Sequence, residues 1–167
     1  MPKTKQKLSQ GLILEIFDVV KTPWFAVSTD IMILEKAAFG DKADSEERLK
    51  NCFENPFVTA VFLRNLNKNI IGYSYAIPDP LENVKMTALL DSAAIFPAYQ
   101  GQGLIGILND VLEQELVKKG YQLMTLRANI GNDFADKIAK VYAGRILETH
   151  ENASIYGRQR YFKIKLR

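Results

Sequence analysis

Gln100-Gly101-Gln102-Gly103-Leu104-Ile105-Gly106 is the stretch on which the reading of this chain turns. Before it, Thr87 to Phe96 is an apolar run that reads as a strand closed by Pro97. After it, Leu104, Ile107, Leu108, Val111, Leu112 and Leu116 recur at helical spacing, so Leu104 to Lys119 reads as an amphipathic helix. Lys118 and Lys119 suit the negative pole of that helix, and Gly120 ends it. A glycine-rich turn that opens a helix is suited to anions. Its N–H groups have no intrahelical partner, and the helix dipole adds partial positive charge there. Without Cβ atoms a phosphate can approach those amides closely. The stretch therefore points to a ligand that carries a diphosphate.

Working outward, Met1 to Gln10 is polar and basic and reads as a loose tail, leaving residues 11–167 as one domain. Leu12 to Val20 is apolar and β-branched, a first strand broken by Thr22-Pro23. Thr29 to Phe39 has helical spacing, with Thr29 or Asp30 as its cap. Asp44-Ser45-Glu46-Glu47 opens a second short helix that runs through Phe53 and stops at Asn55-Pro56. The period then changes to two. Phe57 to Arg64 and Asn69 to Ala76 read as strands of a hairpin closed by Asn65 to Lys68. Beyond the central strand and helix come a strand from Gln122 to Ala128 and a helix from Asp133 to Val141 or Tyr142. Two final strands, Ile146 to His150 and Gln159 to Leu166, follow, joined through Glu151 to Arg158. The order is that of a mixed α/β sheet with its crossovers late in the chain.

Composition narrows the function. The chain has 167 residues, 47% apolar and 25% charged, enough to bury a core. A net charge of +3 is too small to argue for nucleic acid. The run lengths argue against a membrane span, and the N-terminal residues lack the apolar region of a signal peptide, so a cytoplasmic location is expected. One cysteine, Cys52, gives no disulfide framework and reads as a small buried residue. One histidine, His150, in a polar stretch, reads as a surface residue; with so few soft ligands no metal site is expected. Tyr73, Tyr75, Tyr156, Tyr161 and Phe162 read as sheet packing, and Trp24 and Phe25 as either a buried staple or aromatics that face a ligand.

Gly101-x-Gly103-x-x-Gly106 matches the G-x-G-x-x-G pattern of dinucleotide folds, but its context does not. In those folds the turn follows its strand directly, and an acid about 20 residues on ends the next strand. Here Pro97 to Gln100 intervene and the next strand ends Arg127-Ala128-Asn129. No Gly-Lys-Ser/Thr is present for a Walker loop. Ile95-Phe96-Pro97-Ala98-Tyr99-Gln100-Gly101-Gln102-Gly103-Leu104-Ile105 instead resembles the acetyl-CoA motif of the GCN5-related N-acetyltransferase (GNAT) superfamily. That motif is an apolar strand end, then x-Pro-x-Tyr, then Arg/Gln-x-x-Gly-x-Gly/Ala, then a helix. The resemblance spans Phe57 to the C-terminus, and the element order extends it to the first strand. Ile105 departs from it, because the family has Gly or Ala there; Gly106 follows one place later.

The resemblance implies an α/β, mostly antiparallel sheet flanked by helices and splayed after its fourth strand, Thr87 to Phe96. It implies acetyl-CoA as co-substrate, with the arm beside Ile95, Phe96 and Pro97 and the diphosphate on Gln100, Gly101, Gln102, Gly103, Leu104, Ile105 and Gly106. Direct attack by an amine in a ternary complex is the implied reaction. The acceptor is a primary amine on a small molecule, peptide or protein. A free lysine-like amine has a pKa of about 10.4, so a base is needed. Asp91, the acid of the strand, lies four residues before Ile95 and so on the same face. Asn132-Asp133-Phe134-Ala135 matches half of the family's Asn-x-x-Ala-x-x-x-Tyr pattern. Asn132 is expected on the CoA arm. Ala139 stands where the tyrosine acid belongs, and Tyr142, three residues on, is the nearest replacement. The acceptor loops are expected at Lys21–Asp30, Asn51–Pro56 and Glu151–Arg158, and the basic, aromatic C-terminal strands suit pairing in a homodimer. Two alternatives stay open: a non-catalytic CoA-binding sensor or interaction domain, and an oxidoreductase built on the glycine pattern.

Overall fold

The computed structural model describes residues 5–8, 11–82, 86–131 and 133–167. The chain forms two compact units, Met1–Ile77 with Ser92–Leu112, and Pro78–Asp91 with Glu113–Arg167.

The first unit is built on strands β1 (Lys5–Lys7), β2 (Ile13–Ile16), β3 (Thr59–Arg64), β4 (Ile70–Pro78) and the end of β5 (Thr87–Ile95), in that spatial order. Helices α1 (Ser28–Phe39) and α2 (Glu46–Phe53) and the start of α3 (Leu104–Lys118) belong to it. β1, β2, β3 and β4 pair antiparallel. β4 and β5 are held at their ends by Phe96 N–H to Ile71 O (2.8 Å) and Asp79 N–H to Thr87 O (3.0 Å). The core is aromatic. Phe53 of α2 stacks on Trp24 (5.8 Å) and packs against Phe17 (5.6 Å), Phe62 (5.8 Å) and Tyr75 (4.8 Å). Truncating such a buried ring to alanine costs about 3–5 kcal/mol.

Three local expectations are corrected here. The first strand ends at Ile16 rather than Val20, because Asp18 Oδ1 accepts from Val20 N–H (3.1 Å) and Lys21 N–H (3.3 Å) and folds the chain into a turn. Neither Thr29 nor Asp30 caps α1: Val27 holds the cap position without a side-chain bond, and Asp30 accepts from Ile70 N–H (2.8 Å), tying the helix to β4. Lys5–Lys7, expected in the loose tail, pairs with Ile13–Glu15. The cap of α2 follows the usual chemistry, with Ser45 Oγ accepting from Arg48 N–H (3.2 Å).

The second unit has the order β5, β6 (Leu123–Asn129), β8 (Gly157–Lys165), β7 (Ile146–Ser154), with α4 (Phe134–Val141). β5 runs parallel to β6 through three residue pairs, Thr87–Leu123, Ala88–Met124 and Leu89–Thr125, whereas β6 pairs with β8 over seven. The sheet is thus antiparallel except at β5–β6, and that ladder is brief, as the mixed α/β reading requires. Glu151 to Arg158, expected as a connection, is instead the far end of a hairpin with Ile155 and Tyr156 at its tip. β7 is exposed on both faces from Leu147 onward, so no alternation announces it. Cross-strand charge holds it: Arg158 and Arg160 on Glu151 (2.7 and 3.2 Å), and Lys163 on Glu148 (3.2 Å). His150 lies on this surface, its ring stacked on Tyr161 at 4.5 Å.

Among the described residues no helix is long and apolar enough to cross a membrane, and no three His, Cys, Asp or Glu side chains cluster to hold a metal ion.

Candidate functional site

The site starts where β5 ends. Ile95 is buried, Phe96 packs on the aromatic core, and Pro97–Tyr99 form one 3-10 turn. Tyr99 N–H bonds to Phe96 O (2.8 Å) and Gln100 N–H to Pro97 O (3.2 Å). The Gln100 side chain folds back and donates from Nε2 to Ile95 O (2.9 Å), fixing the turn to the strand that precedes it. Gly101 (φ +77°) and Gly103 (φ +72°) then take the left-handed conformation that side chains disfavour. The first amide with a helical acceptor is Ile107 N–H, on Gly103 O (3.3 Å). Those of Leu104, Ile105 and Gly106 come before it, so helix geometry leaves them without an intrahelical partner.

Space decides whether a ligand can use these amides. A Cβ built on Gly101, Gly103 or Gly106 would meet nothing within 4 Å. Gln102 is exposed and Ile105 half-buried, while Leu104, Leu108 and Leu112 are buried and anchor the helix. Donors without a helical partner thus stand beside open space at the positive pole of a 15-residue helix. That arrangement fits a diphosphate. Gly106 lies inside the first turn of α3 rather than in the loop, so the loop's own glycines are Gly101 and Gly103. A Cβ at Gly72, by contrast, would lie 2.5 Å from Ile95 Cδ1 and 3.4 Å from Leu108 Cδ1. Glycine there lets α3 settle onto β4 and β5.

β5 has two different faces near this turn. Ala94 and Phe96 lie against the core beneath α1 and α2, and Ser92 joins them by bonding to Tyr73 Oη (3.3 Å). Alternation sends Asp91, Ala93 and Ile95 to the other side, where Ile95 and Leu108 crowd Gly72. Asp91 is half-buried. On the α1 side, Tyr73 donates to Glu35 Oε1, and Asp44 N–H donates to Glu35 Oε2 (3.1 Å). Glu35 is 1% exposed and Tyr73 fully buried. Sequence reasoning passed over Glu35, although the signal was there. The residue falls within the Ile31, Leu34, Ala38 stripe of α1, where an acid has to be hydrogen-bonded.

The remaining expected residues lie in the second unit. Asn132 is outside the described residues. Tyr142 follows α4 and is 3% exposed; it continues the buried stripe of Ala135 and Ile138, and its N–H bonds to Ile138 O (3.0 Å). The Arg145 guanidinium lies 5.0 Å from its ring and is clamped by Glu113 (Nη2 to Oε2, 3.2 Å). Of the two aromatics in the loop before α1, Trp24 is the buried staple and Phe25 is 80% exposed. Cys52 is half-buried rather than buried. It lines a groove of about 450 Å³ with Ser45, Glu47, Arg48, Asn51, Asn55 and Ile77. Tyr73, Tyr75 and Phe162 are core residues, as expected.

No protein-family model and no curated protein sequence matches this chain. Solved structures do. The ribosomal-protein-S18-alanine N-acetyltransferase from Escherichia coli is 18% identical with a TM-score of 0.67, covering 93% of this chain and 92% of that one. YncA from Salmonella typhimurium, solved with its cofactor acetyl-CoA, is 15% identical with a TM-score of 0.67 and covers 93% and 94%. The NatC complex bound to Gag peptide and CoA gives a TM-score of 0.74 at 12% identity, covering 93% and 99%. With its brief parallel ladder at β5–β6 and its glycine turn leading into α3, this chain has the fold of the GNAT acetyltransferases.

Proposed function

We propose that this protein is an N-acetyltransferase that moves the acetyl group of acetyl-CoA to a primary amine. The observation that carries the reading is the turn from Gly101 to Gly106: two left-handed glycines beside open space, followed by the amides of a helix start that have no acceptor within the helix. Neighbours of the same fold bear acetyl-CoA or CoA in their solved structures. In this reading the diphosphate sits on the amides from Gln102 to Gly106. The pantetheine arm runs back along β5 past Pro97, Phe96 and Ile95, beyond the three pairs that join β5 to β6. A strand N–H beside Ile95 donates to the thioester oxygen as negative charge gathers there. The acceptor nitrogen attacks the thioester carbon, the C–S bond breaks, and the sulfur leaves with the electron pair. Asp91 is the acid of β5 nearest that path, and Tyr142 is the proposed proton source for the sulfur.

Two residues favour a second reading, a CoA-binding module without turnover. Ile105 replaces a small residue of the family pattern, and Ala139 replaces its tyrosine. One experiment separates the two. Thiol release from acetyl-CoA is followed across a panel of amines, amino acids and peptides, with CoA binding measured by calorimetry. Binding with turnover supports the transferase; binding without turnover on any member of the panel supports the module; absence of CoA binding overturns both.

A further inference from the structure

Glu35, Tyr73 and Ser92 form a hydrogen-bonded line whose direction can be read from chemistry. An ionised carboxylate only accepts, so Tyr73 gives its single proton to Glu35 Oε1. The Tyr73 oxygen is then the acceptor toward Ser92, and Ser92 must donate across the 3.3 Å contact. This spends the serine's only proton and leaves its oxygen lone pairs as the outer end of the line. The inner end is sealed, with Glu35 and Tyr73 at 1% and 0% exposure. The outer end is not, because Ser92 is half-buried on the strand that precedes the glycine turn. A line that starts at a free lone pair and ends on a buried carboxylate is built to receive an N–H proton.

We propose that Ser92, Tyr73 and Glu35 carry the proton that the acceptor amine loses, an inference that rests on the transferase reading above. As the C–N bond forms, the nitrogen's proton passes to Ser92 Oγ. The serine's proton passes to Tyr73 Oη, and the tyrosine's to Glu35, which ends as a neutral acid. When the amide leaves and water reaches Ser92, the proton returns along the same line to solvent and the carboxylate is restored. Ser92 is the catalytic residue; Tyr73 and Glu35 are positioning residues that act through it. The groups that face the line include Asp44, whose N–H holds Glu35 Oε2, Arg48 on α2, and Tyr75 on β4. Arg48 bridges Asp44 Oδ2 (2.7 Å) and the Tyr75 hydroxyl (3.4 Å). This route lies on the face of β5 opposite Asp91, so the two candidate bases make opposing demands on the direction from which the amine arrives.

The test is steady-state kinetics of Ser92→Ala, Ser92→Thr, Tyr73→Phe and Glu35→Gln with acetyl-CoA and whichever amine of the panel the wild type uses best. Thermal melts confirm folding. The expected result is a kcat lowered by about tenfold for Ser92→Ala and by about a hundredfold for Glu35→Gln, the latter at the low end of general-base effects. The KM for acetyl-CoA is unchanged, and Ser92→Thr recovers most of the rate. The acidic limb of the kcat profile moves to higher pH in Glu35→Gln, a change that mere loosening of α1 does not cause. Wild-type kcat and pH profile in all four variants, or equal losses that track melting temperature, overturn the relay while leaving the transferase reading intact. A wild type that binds CoA but turns over no amine overturns the reading and the relay with it.

Discussion

Two turns of this molecule look alike by the usual signs. Gly103 and Gly157 both have positive φ, at +72° and +100°, and neither has an atom within 4 Å of where a Cβ would sit. Their amides differ. At the hairpin tip, Ser154 Oγ accepts from Tyr156 N–H (3.1 Å) and donates to Gly157 O (3.0 Å), and Ser154 pairs with Gly157 across the ladder. The polar groups of that turn are spent on closing the hairpin. At Gly103 the chain enters α3, whose first amides have no acceptor within the helix, and the dipole of a 15-residue helix stands behind them. Left-handed glycine in open space is a feature of turns in general. What distinguishes a binding turn is a set of donors that the fold holds still and leaves unused.

Aspartate at each position gives the largest separation. Gly103→Asp places a carboxylate beside the amides and is expected to weaken acetyl-CoA binding by tenfold or more, about 1.4 kcal/mol. Gly157→Asp is expected to leave that affinity unchanged. Calorimetry on both variants checks the pair; equal losses would erase the distinction. Alanine sharpens it. Gly101→Ala and Gly157→Ala carry the same left-handed strain, of about 1–2 kcal/mol, in thermal or urea unfolding. Only the first should also change CoA affinity.

The hairpin carries a pH signature that the glycine turn lacks. Burial and the bond to Glu82 push the Tyr161 hydroxyl up to about 12. Hydrogen bonds donated to Glu82 and Glu148 raise Lys163 above the usual lysine range. Both groups are more readily protonated folded than unfolded. Their contribution is therefore complete below about pH 10 and is lost as pH rises through the folded values. Unfolding by denaturant at pH 9 and at pH 11.5 should show that decline, and Tyr161→Phe should flatten it. The smallest expected effect is at Gly106, which is helical and unobstructed. Gly106→Ala should stabilise the protein by about 0.5–1 kcal/mol, with acetyl-CoA affinity unchanged if the grip lies chiefly in the loop and the first helical amides.

The same contrast explains what could be read from the residues alone. β5, the glycine turn and α3 were legible because each has one buried side. Burial imposes a period, and Leu104, Leu108, Leu112 and Leu116 display it. β7 was not legible past His150, because a strand exposed on both faces has no apolar alternation to show. Its pairing depends on Glu148 and Glu151 meeting Lys163 and Arg160 from the neighbouring strand, a match visible only once register is known. The site divides in the same way. Gly101, Gly103 and Gln100 were readable from local spacing. Glu35 was not connected to Ser92, since 57 residues of chain separate two side chains that Tyr73 links in the fold. Tyr142 has helical spacing to Ile138 and Ala135, and that periodicity is the reason it is buried.

The central claim is that the amides of the turn hold a diphosphate, and amide chemical shifts during a titration with CoA test it most directly. The account predicts saturable changes that are largest for the N–H groups of Gly101 to Gly106, with the hairpin tip at Gly157 unmoved. CoA that leaves those amide signals in place, whether it binds elsewhere or not at all, would contradict it.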